Sequence, residues 1–394
     1  MRLRPSFSLR LIALLIVGAI AAVSGVATRS TTTSTSTATT TTTTSYTKVR
    51  EPADARETDA DVATANARAA STGTVSVNSG WAAGVPLKMP SGANTDCGAS
   101  WSGNADSAGR VYHGCGYKIQ IRDAKGAIIA QYDPGETYNG TRVPIGRRDV
   151  APSPDGTYIY YSVGDRLDTG FTQAQLNAGW GSIHRLKKTS TGYTRDTTFS
   201  VGPVNPETGA LQKSSDGWGT RYLAVGADGT VFTTSNAFLL AYSPTGSLVG
   251  VYGGYGATGA ASGFDVMEGV AANRAGTYIY ATEQSHQYIA RFAKNSAGKW
   301  VPDKVVGTRD RVASCVAGEN LFASPYDIGT DGAGNVYIAD TTCGRILQYD
   351  ANLAYRLTVL SITNCNLCFK PHGLAISNTG SVILPWYNQV FAKK

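Results

Sequence analysis

The sequence GTYIYAT at Gly276–Thr282 is one of six copies of a motif that recurs from Gly109 onward. In each copy a Gly is followed by β-branched or aromatic residues. The other five copies begin at Gly109, Gly156, Gly229, Gly334 and Gly380. Successive glycines are 47, 73, 47, 58 and 46 residues apart, so the unit is near 46 residues, with insertions in the second and fourth copies. A repeat of this length is typical of one propeller blade.

Each copy is predicted to contain four strands, A to D, with strand A before the Gly and strand B after it. Apolar residues alternate along these segments, as in Tyr158–Tyr161, and do not recur at spacings of three and four. Turns such as Asp123–Gly126 and Ser243–Gly246 supply the residues that tight hairpins favour. We therefore predict an all-β fold, a six-bladed β-propeller that spans residues 74–394.

The last copy ends after strand C, at Lys394, and so lacks its outer strand. A sheet with an open edge is prone to pair with other chains, and folded proteins avoid it. Thr74–Asn78 stands alone at the other end of the domain and has the composition of a strand. We predict that the last blade is closed by an N-terminal strand and assign that role to Thr74–Asn78.

The first 27 residues resemble an export signal. Arg2, Arg4 and Arg10 precede an apolar run, Leu11–Val23, and small residues at 25–27 form a cleavage pattern. The run is 13 residues long, whereas a membrane-spanning helix needs about 20. The sequence therefore predicts a cleaved signal peptide over 1–27, and an uncleaved membrane anchor is the alternative.

Residues 28–73 are predicted to be a disordered linker. Almost all of residues 28–47 are Thr or Ser, and residues 48–73 add mixed charge without periodicity. The formal net charge of +7 includes three signal-peptide arginines, and no run of Lys and Arg appears, so nucleic acid is not an expected partner. We expect a secreted or cell-surface monomer.

Six cysteines in an exported chain predict disulfides. The repeat places Cys115 and Cys343 after strand B, and places cysteines of the same copies in the connections that lead to strand A. Those two loop types lie at the same end of a propeller. Cys365 and Cys368 lack the βαβ setting of a redox dithiol and the second cysteine pair of a zinc site. The predicted pairs are Cys97–Cys115, Cys315–Cys343 and Cys365–Cys368.

The candidate ligand-binding residues stand eight positions before each repeat Gly, where strand A begins. They are Trp101, Arg148, Arg221, Glu268, Tyr326 and His372. In a propeller these positions converge at one mouth of the central channel, which we call the front face. Guanidinium groups bind oxygen pairs and aromatic rings stack on sugars, whereas Glu268 and His372 form a possible acid/base pair.

A register shifted by one residue replaces this set by another. The shifted set is Ser102, Asp149, Tyr222, Gly269, Asp327 and Gly373. Because side chains alternate along a strand, the two sets are expected to exclude each other as residues that line the channel. Pairing of Arg148 with Glu268 across water is the simpler structural interpretation of the first set.

The fifth copy, SPYDIGTDGAGNVYIADTTCGRILQYD at Ser324–Asp350, resembles an NHL repeat, and KPHGLAISNTGSVILPW at Lys370–Trp386 resembles its first half. The resemblance covers roughly residues 74–394 and implies a propeller of the NHL or TolB-like kind. That group includes binding domains, lactonases and lyases. Peptidylglycine alpha-amidating lyase is similar in having Pro-His where strand A begins, at its zinc ligands. Only Pro371–His372 matches, so the resemblance implies no zinc site.

Taken together, these residues predict a binding module for a protein, peptide or glycan that requires no cofactor. The alternative is a hydrolase or lyase that uses Glu268 and His372, with a divalent metal. The gluconolactonase-like relatives hold such a metal with carboxylates and amides, and Glu268 alone fits that pattern in the first set. A third possibility is a scaffold without a ligand at the front face.

Overall fold

Six antiparallel sheets are arranged in a ring, which confirms the six-bladed β-propeller. They are seen in a computed structural model that describes residues 39–43, 74–82, 84–86, 102–164, 172–205, 210, 220–235, 237–253, 264, 266–307, 322–363, 373–385 and 389–394. The innermost strands of successive sheets contact one another, and the innermost strand of the sixth sheet contacts that of the first. The ring is therefore closed. The described residues belong to one unit, Ala38–Lys394.

The strands are numbered along the chain. The N-terminal strands are β1 (Thr39–Thr43), β2 (Thr74–Asn78) and β3 (Val85–Pro86). Blade one contains β4 (Gly103–Ala105), β5 (Val111–Cys115), β6 (Lys118–Arg122) and β7 (Ile128–Tyr132), followed by a hairpin of β8 (Thr137–Tyr138) and β9 (Thr141–Arg142). Blade two contains β10 (Ile145–Pro152), β11 (Tyr158–Val163), helix α1 (Gln173–Asn177), β12 (Ile183–Thr189) and β13 (Gly192–Val201).

The other blades follow the same order. Blade three contains β14 (Leu223–Val225), β15 (Val231–Ser235), β16 (Phe238–Tyr242) and β17 (Leu248–Gly253). Blade four contains β18 (Met267–Ala272), β19 (Tyr278–Glu283), β20 (Tyr288–Lys294) and β21 (Trp300–Gly307). Blade five contains β22 (Pro325–Thr330), β23 (Val336–Asp340), β24 (Arg345–Tyr349) and β25 (Tyr355–Thr363), and blade six contains β26 (Ala375–Ile376), β27 (Val382–Leu384) and β28 (Gln389–Phe391).

The repeat glycines form the turns between the first and second strands of the blades. All six have positive φ, from 68° at Gly276 to 87° at Gly380. Residues with a Cβ rarely adopt this conformation, which explains why the motif begins with Gly. The turn of blade four also approaches blade three, because a Cβ on Gly276 would lie 2.8 Å from the Cβ of Ala227.

The second and third strands are the most buried strands of the blades. Every residue of β15, β16, β23 and β24 is buried, because each sheet is covered by a neighbouring blade on both faces. Exposed residues recur regularly in outer strands such as β7 and β17. Large aromatic side chains fill the space between blades; examples are Tyr112, Tyr160, Phe232, Tyr280 and Tyr337. Burying one such side chain contributes about 1.5–3 kcal/mol.

An N-terminal strand closes the last blade, as predicted, but it is not Thr74–Asn78. The outer strand of blade six is β3, which pairs antiparallel with β28. Strand β2 instead pairs with β25 and extends blade five. Between β2 and β3, Trp81 forms a bridge with Lys393. The segment after β2 therefore runs along the C-terminal end of the chain, which places Val85–Pro86, and not Thr74–Asn78, at the open edge of blade six.

Part of the predicted linker is also a strand. Thr39–Thr43 form β1, which pairs antiparallel with β2 at the outer edge of blade five. Thr is β-branched and suits an extended backbone, and the pairing covers an edge of β2 that would otherwise be open. The rest of the linker and the predicted signal peptide lie outside the described residues. Among the residues that are described, no helix is long and apolar enough to cross a membrane.

Candidate functional site

Three of the six predicted ligand-binding residues have described side chains. Trp101 and His372 lie outside the described residues, and Arg148 is described only as a backbone position within β10. Arg221, Glu268 and Tyr326 all lie at the front face, where the inner strands of three consecutive blades begin. The repeat spacing therefore brought equivalent positions of blades three, four and five to the same end of the ring.

Arg221 and Glu268 form a buried ion pair between blades three and four. Nη1 of Arg221 donates to Oε1 of Glu268, and the two residues are only 2% and 3% exposed. Thr234 helps to position both, because its carbonyl accepts from the Arg221 N–H at 2.9 Å and its hydroxyl donates to the Glu268 carbonyl. The Glu268 carboxylate is used on one side only: its Oε2 is buried with no hydrogen-bond partner among the described residues.

Tyr326 is half-buried and places an aromatic ring at the same end. Its ring meets that of Tyr222 edge-on, with 6.4 Å between centroids and 75° between planes. The backbone of Tyr326 is fixed by Thr282, whose hydroxyl donates to the Tyr326 carbonyl at 2.9 Å. Tyr222 belongs to the shifted register set, so members of the two sets are in contact.

Three more members of the shifted set line the interior of the ring. The Ser102 hydroxyl of blade one donates to Oδ2 of Asp327 in blade five at 2.9 Å, although blade six stands between them. Asp149 of blade two also interacts with Ser102, and its charge raises the pKa of Asp327. All three are at most 2% exposed.

Members of both sets stand at this end of the ring, and β-bulges interrupt the alternation of side chains there in three inner strands. The register shifts between Ile145 and Val150 in blade two, between Met267 and Val270 in blade four, and between Pro325 and Asp327 in blade five. Across the shift the inner strand has one residue more than its partner in blades four and five and three more in blade two. These are the places where the site residues stand, so strict alternation does not hold there.

Asp149 and Asp327 connect neighbouring blades by the same geometry. Asp149 accepts from the backbone N–H of Leu223 at 2.8 Å, and Asp327 accepts from that of Leu374 at 2.8 Å. The inner strand of each blade has an edge towards the channel whose backbone groups no other strand pairs with. Each of these carboxylates accepts from one N–H on that edge of the next blade. Gly269 occupies the equivalent position of blade four, where a Cβ would lie 2.7 Å from Cα of Asp327.

These two carboxyl groups are difficult to ionise together. Burial raises the pKa of Asp149 to about 7, in spite of the hydrogen bonds that it accepts. Burial and the charge of Asp149 raise the pKa of Asp327 well above its ordinary range. Two carboxyls in one dry site resist full ionisation because like charges repel at close range. The structural role is clear from the geometry, since each is held by backbone groups of two blades.

Neither described cysteine, Cys115 or Cys343, is a free thiol. The other cysteines lie outside the described residues, so the three pairings stay predictions. His113 is also structural: its Nε2 accepts from Nε of the fully buried Arg122 at 2.8 Å, and burial lowers the pKa of His113 to about 3. No group of three or more His, Cys, Asp or Glu side chains in the described part of the chain is placed to hold a metal.

Comparison with known proteins adds little to this picture. The chain matches no protein-family model and no curated protein. Among solved structures it is similar to hydrazine synthase from Kuenenia stuttgartiensis, with 13% identity and a TM-score of 0.44. That alignment covers 78% of this chain and 99% of the other. The propeller assignment therefore rests on the sheets themselves, and the NHL or TolB-like resemblance stays a resemblance.

Proposed function

We propose that this protein is an exported propeller that binds a protein, peptide or glycan at its front face. The observation that carries the proposal is the buried Oε2 of Glu268, which has no hydrogen-bond partner among the described residues. A buried acceptor without a partner costs about 1–3 kcal/mol. A donor on a ligand, such as a peptide N–H or a sugar hydroxyl, would recover that free energy on binding.

The charge at the front face favours a ligand with polar donors over a strongly charged one. Arg221 already neutralises Glu268 within a buried pair, so the pair carries no net charge. Tyr326 adds a half-buried ring at the start of the next inner strand. A ring beside a hydrogen-bond acceptor suits sugars and peptide side chains, which combine an apolar face with polar edges.

The ion pair argues against the enzymatic alternative. A general base must be free to take a proton, and Oε1 of Glu268 is already held by Arg221. In the hydrolase or lyase alternative, Arg221 and Glu268 have to separate in each catalytic cycle. That separation costs free energy, because it leaves a buried charge without its counter-ion. The secreted or cell-surface location belongs to the same proposal and rests on the N-terminal sequence, and the monomeric state is part of the proposal as well.

A glycan and peptide array tests the proposal with three proteins. The wild type is compared with Glu268→Gln, which changes the acceptor pattern of the carboxylate, and with Glu136→Gln as the matched control. Glu136 is also a carboxylate that accepts from an arginine, at 2.9 Å from Nε of Arg195, but it lies in the segment between blades one and two. We expect at least about tenfold weaker binding of the array ligand by Glu268→Gln, with unchanged binding by Glu136→Gln.

Two results would contradict the proposal. Equal binding by the wild type and by the double variant Arg148→Ala/Arg221→Ala, with both proteins folded by circular dichroism, would indicate a scaffold. Conversion of a bound ligand by the wild type, with binding but no conversion by Glu268→Gln, would indicate the enzyme. Melting curves recorded for every variant separate these outcomes from a loss of folding.

A further inference from the structure

A cavity of about 550 Å³, which includes the solvent at its mouth, lies at the end of the ring opposite the front face. We call this end the back face; it is where the inner strands end and turn into the second strands. All six blades contribute to the lining, through residues such as Asn104, Pro152, Val225, Thr330 and Ile376. Among the lining residues that the structure describes, Arg274, in the turn after β18, is the one with a charge.

Arg274 reaches across the ring from blade four to blade one. Its Nη2 donates to the carbonyl of Ala105 at 3.2 Å and to the carbonyl of Asp106. Its Nε is buried and has no hydrogen-bond partner in the described part of the chain. Guanidinium Nε and Nη groups form a planar fork that matches the two oxygens of a carboxylate. Nη2, which shares one fork with Nε, is therefore used by the protein, and Nε is left as a single donor.

Two carboxylates that attract Arg274 electrostatically, Asp106 and Asp331, are engaged with other residues. Asp106 accepts from Arg110 Nε at 2.7 Å and from the Tyr112 hydroxyl at 2.9 Å. Asp331 accepts from the Tyr337 hydroxyl at 3.0 Å and from Asn335. Both carboxylates attract Arg274 electrostatically, but neither forms an ion pair with it among the described residues. Burying a cation without a direct counter-ion costs free energy, and an anion that binds beside it reduces that cost.

We propose that the back-face cavity binds a carboxylate ligand through Arg274. The site lies at the other end of the ring from Glu268, so the proposal does not rest on the function proposed above. The described part of the lining holds one guanidinium, which matches a single negative charge. The nearby Asp106 and Asp331 would repel a phosphate dianion more strongly than a carboxylate. The cavity opens to solvent at its mouth, and a small organic acid or the C-terminal residue of a peptide would enter there.

Titration of the wild-type protein with small carboxylates tests the site directly. The probes are acetate and N-acetylglycine, which stand for a free acid and for a peptide C-terminus, with N-acetylglycinamide as the uncharged match. The readout is the Nε–H resonance of Arg274 in an ¹⁵N spectrum, assigned by its loss in Arg274→Lys. We expect a saturable shift with both carboxylates at constant ionic strength, and none with the amide.

Binding of the same probes to two variants completes the test. Arg274→Gln should lower the affinity at least about tenfold, because the charged fork is lost. Arg356→Gln, in an exposed pair with Asp350, should not change it. Absence of a saturable shift in the wild type, an equal affinity in Arg274→Gln, or tighter binding of inorganic phosphate would overturn the proposal. The wild-type spectrum decides the question even if Arg274→Gln fails to fold.

Discussion

The indole N–H of Trp81 donates a 2.9 Å hydrogen bond to the carbonyl of Gly380, a residue 299 positions later in the chain. Trp81 is 4% exposed, and its ring meets Tyr337 of blade five edge-on, with 6.5 Å between centroids. The ammonium group of Lys393 lies 5.5 Å from the centroid of the same ring. Trp81 therefore packs against blades five and six at the point where the two ends of the chain close the ring.

Replacing Trp81 by Ala should lower the free energy of unfolding by about 3–5 kcal/mol, because it removes a buried aromatic side chain and leaves a cavity. Urea denaturation followed by circular dichroism measures the change. The control is Val249→Ala in β17, where the side chain is 59% exposed and the expected effect is within about 0.5 kcal/mol. Similar effects of the two substitutions would show that Trp81 does not hold the ring closed.

Closure by an N-terminal strand was predictable, but the identity of the strand was not. The count of strands in the last repeat shows that one is missing, and this follows from sequence alone. Thr74–Asn78 has a better strand composition than Val85–Pro86, which is two residues long and contains a proline. Proline is tolerated at an edge, and which edge each segment reaches depends on the path of the chain past Trp81.

The repeat glycines provide a test of local conformation against packing. Gly276 has φ +68°, and a Cβ there would lie 2.8 Å from Ala227. Gly298 has φ +73° and nothing within 4 Å of the same position. Gly298→Ala should therefore show only the cost of a left-handed residue, about 1–2 kcal/mol, and Gly276→Ala should cost more. Chemical denaturation measures both, and equal losses would mean that the blade contact is not tight.

Because Asp149 and Asp327 are hard to ionise, we expect the free energy of unfolding to fall as pH rises. The pKa of Asp149 is raised to about 7 in the folded protein, against about 4 in an unfolded chain. Between these values the folded state holds more protons, so the free energy of unfolding decreases with pH, by up to about 1.4 kcal/mol per unit for each proton. Denaturation curves from pH 4 to pH 8 measure the slope. Asp149→Asn should flatten it, and an unchanged slope would contradict the assignment.

Glu136 is the matched control because its pKa is shifted in the opposite direction, below its ordinary value. Burial opposes the shift, but hydrogen bonds from His184 and Tyr161 lower the pKa of Glu136 to about 2. The stability that it contributes is present above its ordinary pKa and is lost as pH falls towards 2. Glu136→Gln should therefore lower the free energy of unfolding by a constant amount between about pH 6 and pH 8, which leaves the slope there unchanged, and the difference from the wild type should shrink as pH falls towards 2.

The candidate site was predictable in position but not in register. Counting back from each repeat Gly placed Arg221, Glu268 and Tyr326 at the same end of the ring, because the blades share one geometry. The β-bulges carry no clear sequence signal, so the contact of Tyr222, from the shifted set, with Tyr326, from the first set, did not follow from alternation. Arg274 was missed because it stands in a turn, beyond the positions that the repeat register singled out.

The Arg221–Glu268 pair provides the last prediction, which separates the cost of burying two charges from the cost of breaking their pairing. Either Arg221→Ala or Glu268→Ala leaves one buried charge without its partner, and each should destabilise the fold by about 3–5 kcal/mol. The double variant should lose less than the sum, because no unpaired charge remains.

A double-mutant cycle of urea denaturation measures this coupling. Lys294 and Asp228 form the comparison pair; their side chains are 40% and 46% exposed, and the expected coupling is about 0–1 kcal/mol. Coupling at Arg221–Glu268 no larger than at this exposed pair would mean that water reaches the buried pair. In that case Oε2 of Glu268 would be hydrated before any ligand arrives, and the free-energy argument for a ligand donor at the front face would fail.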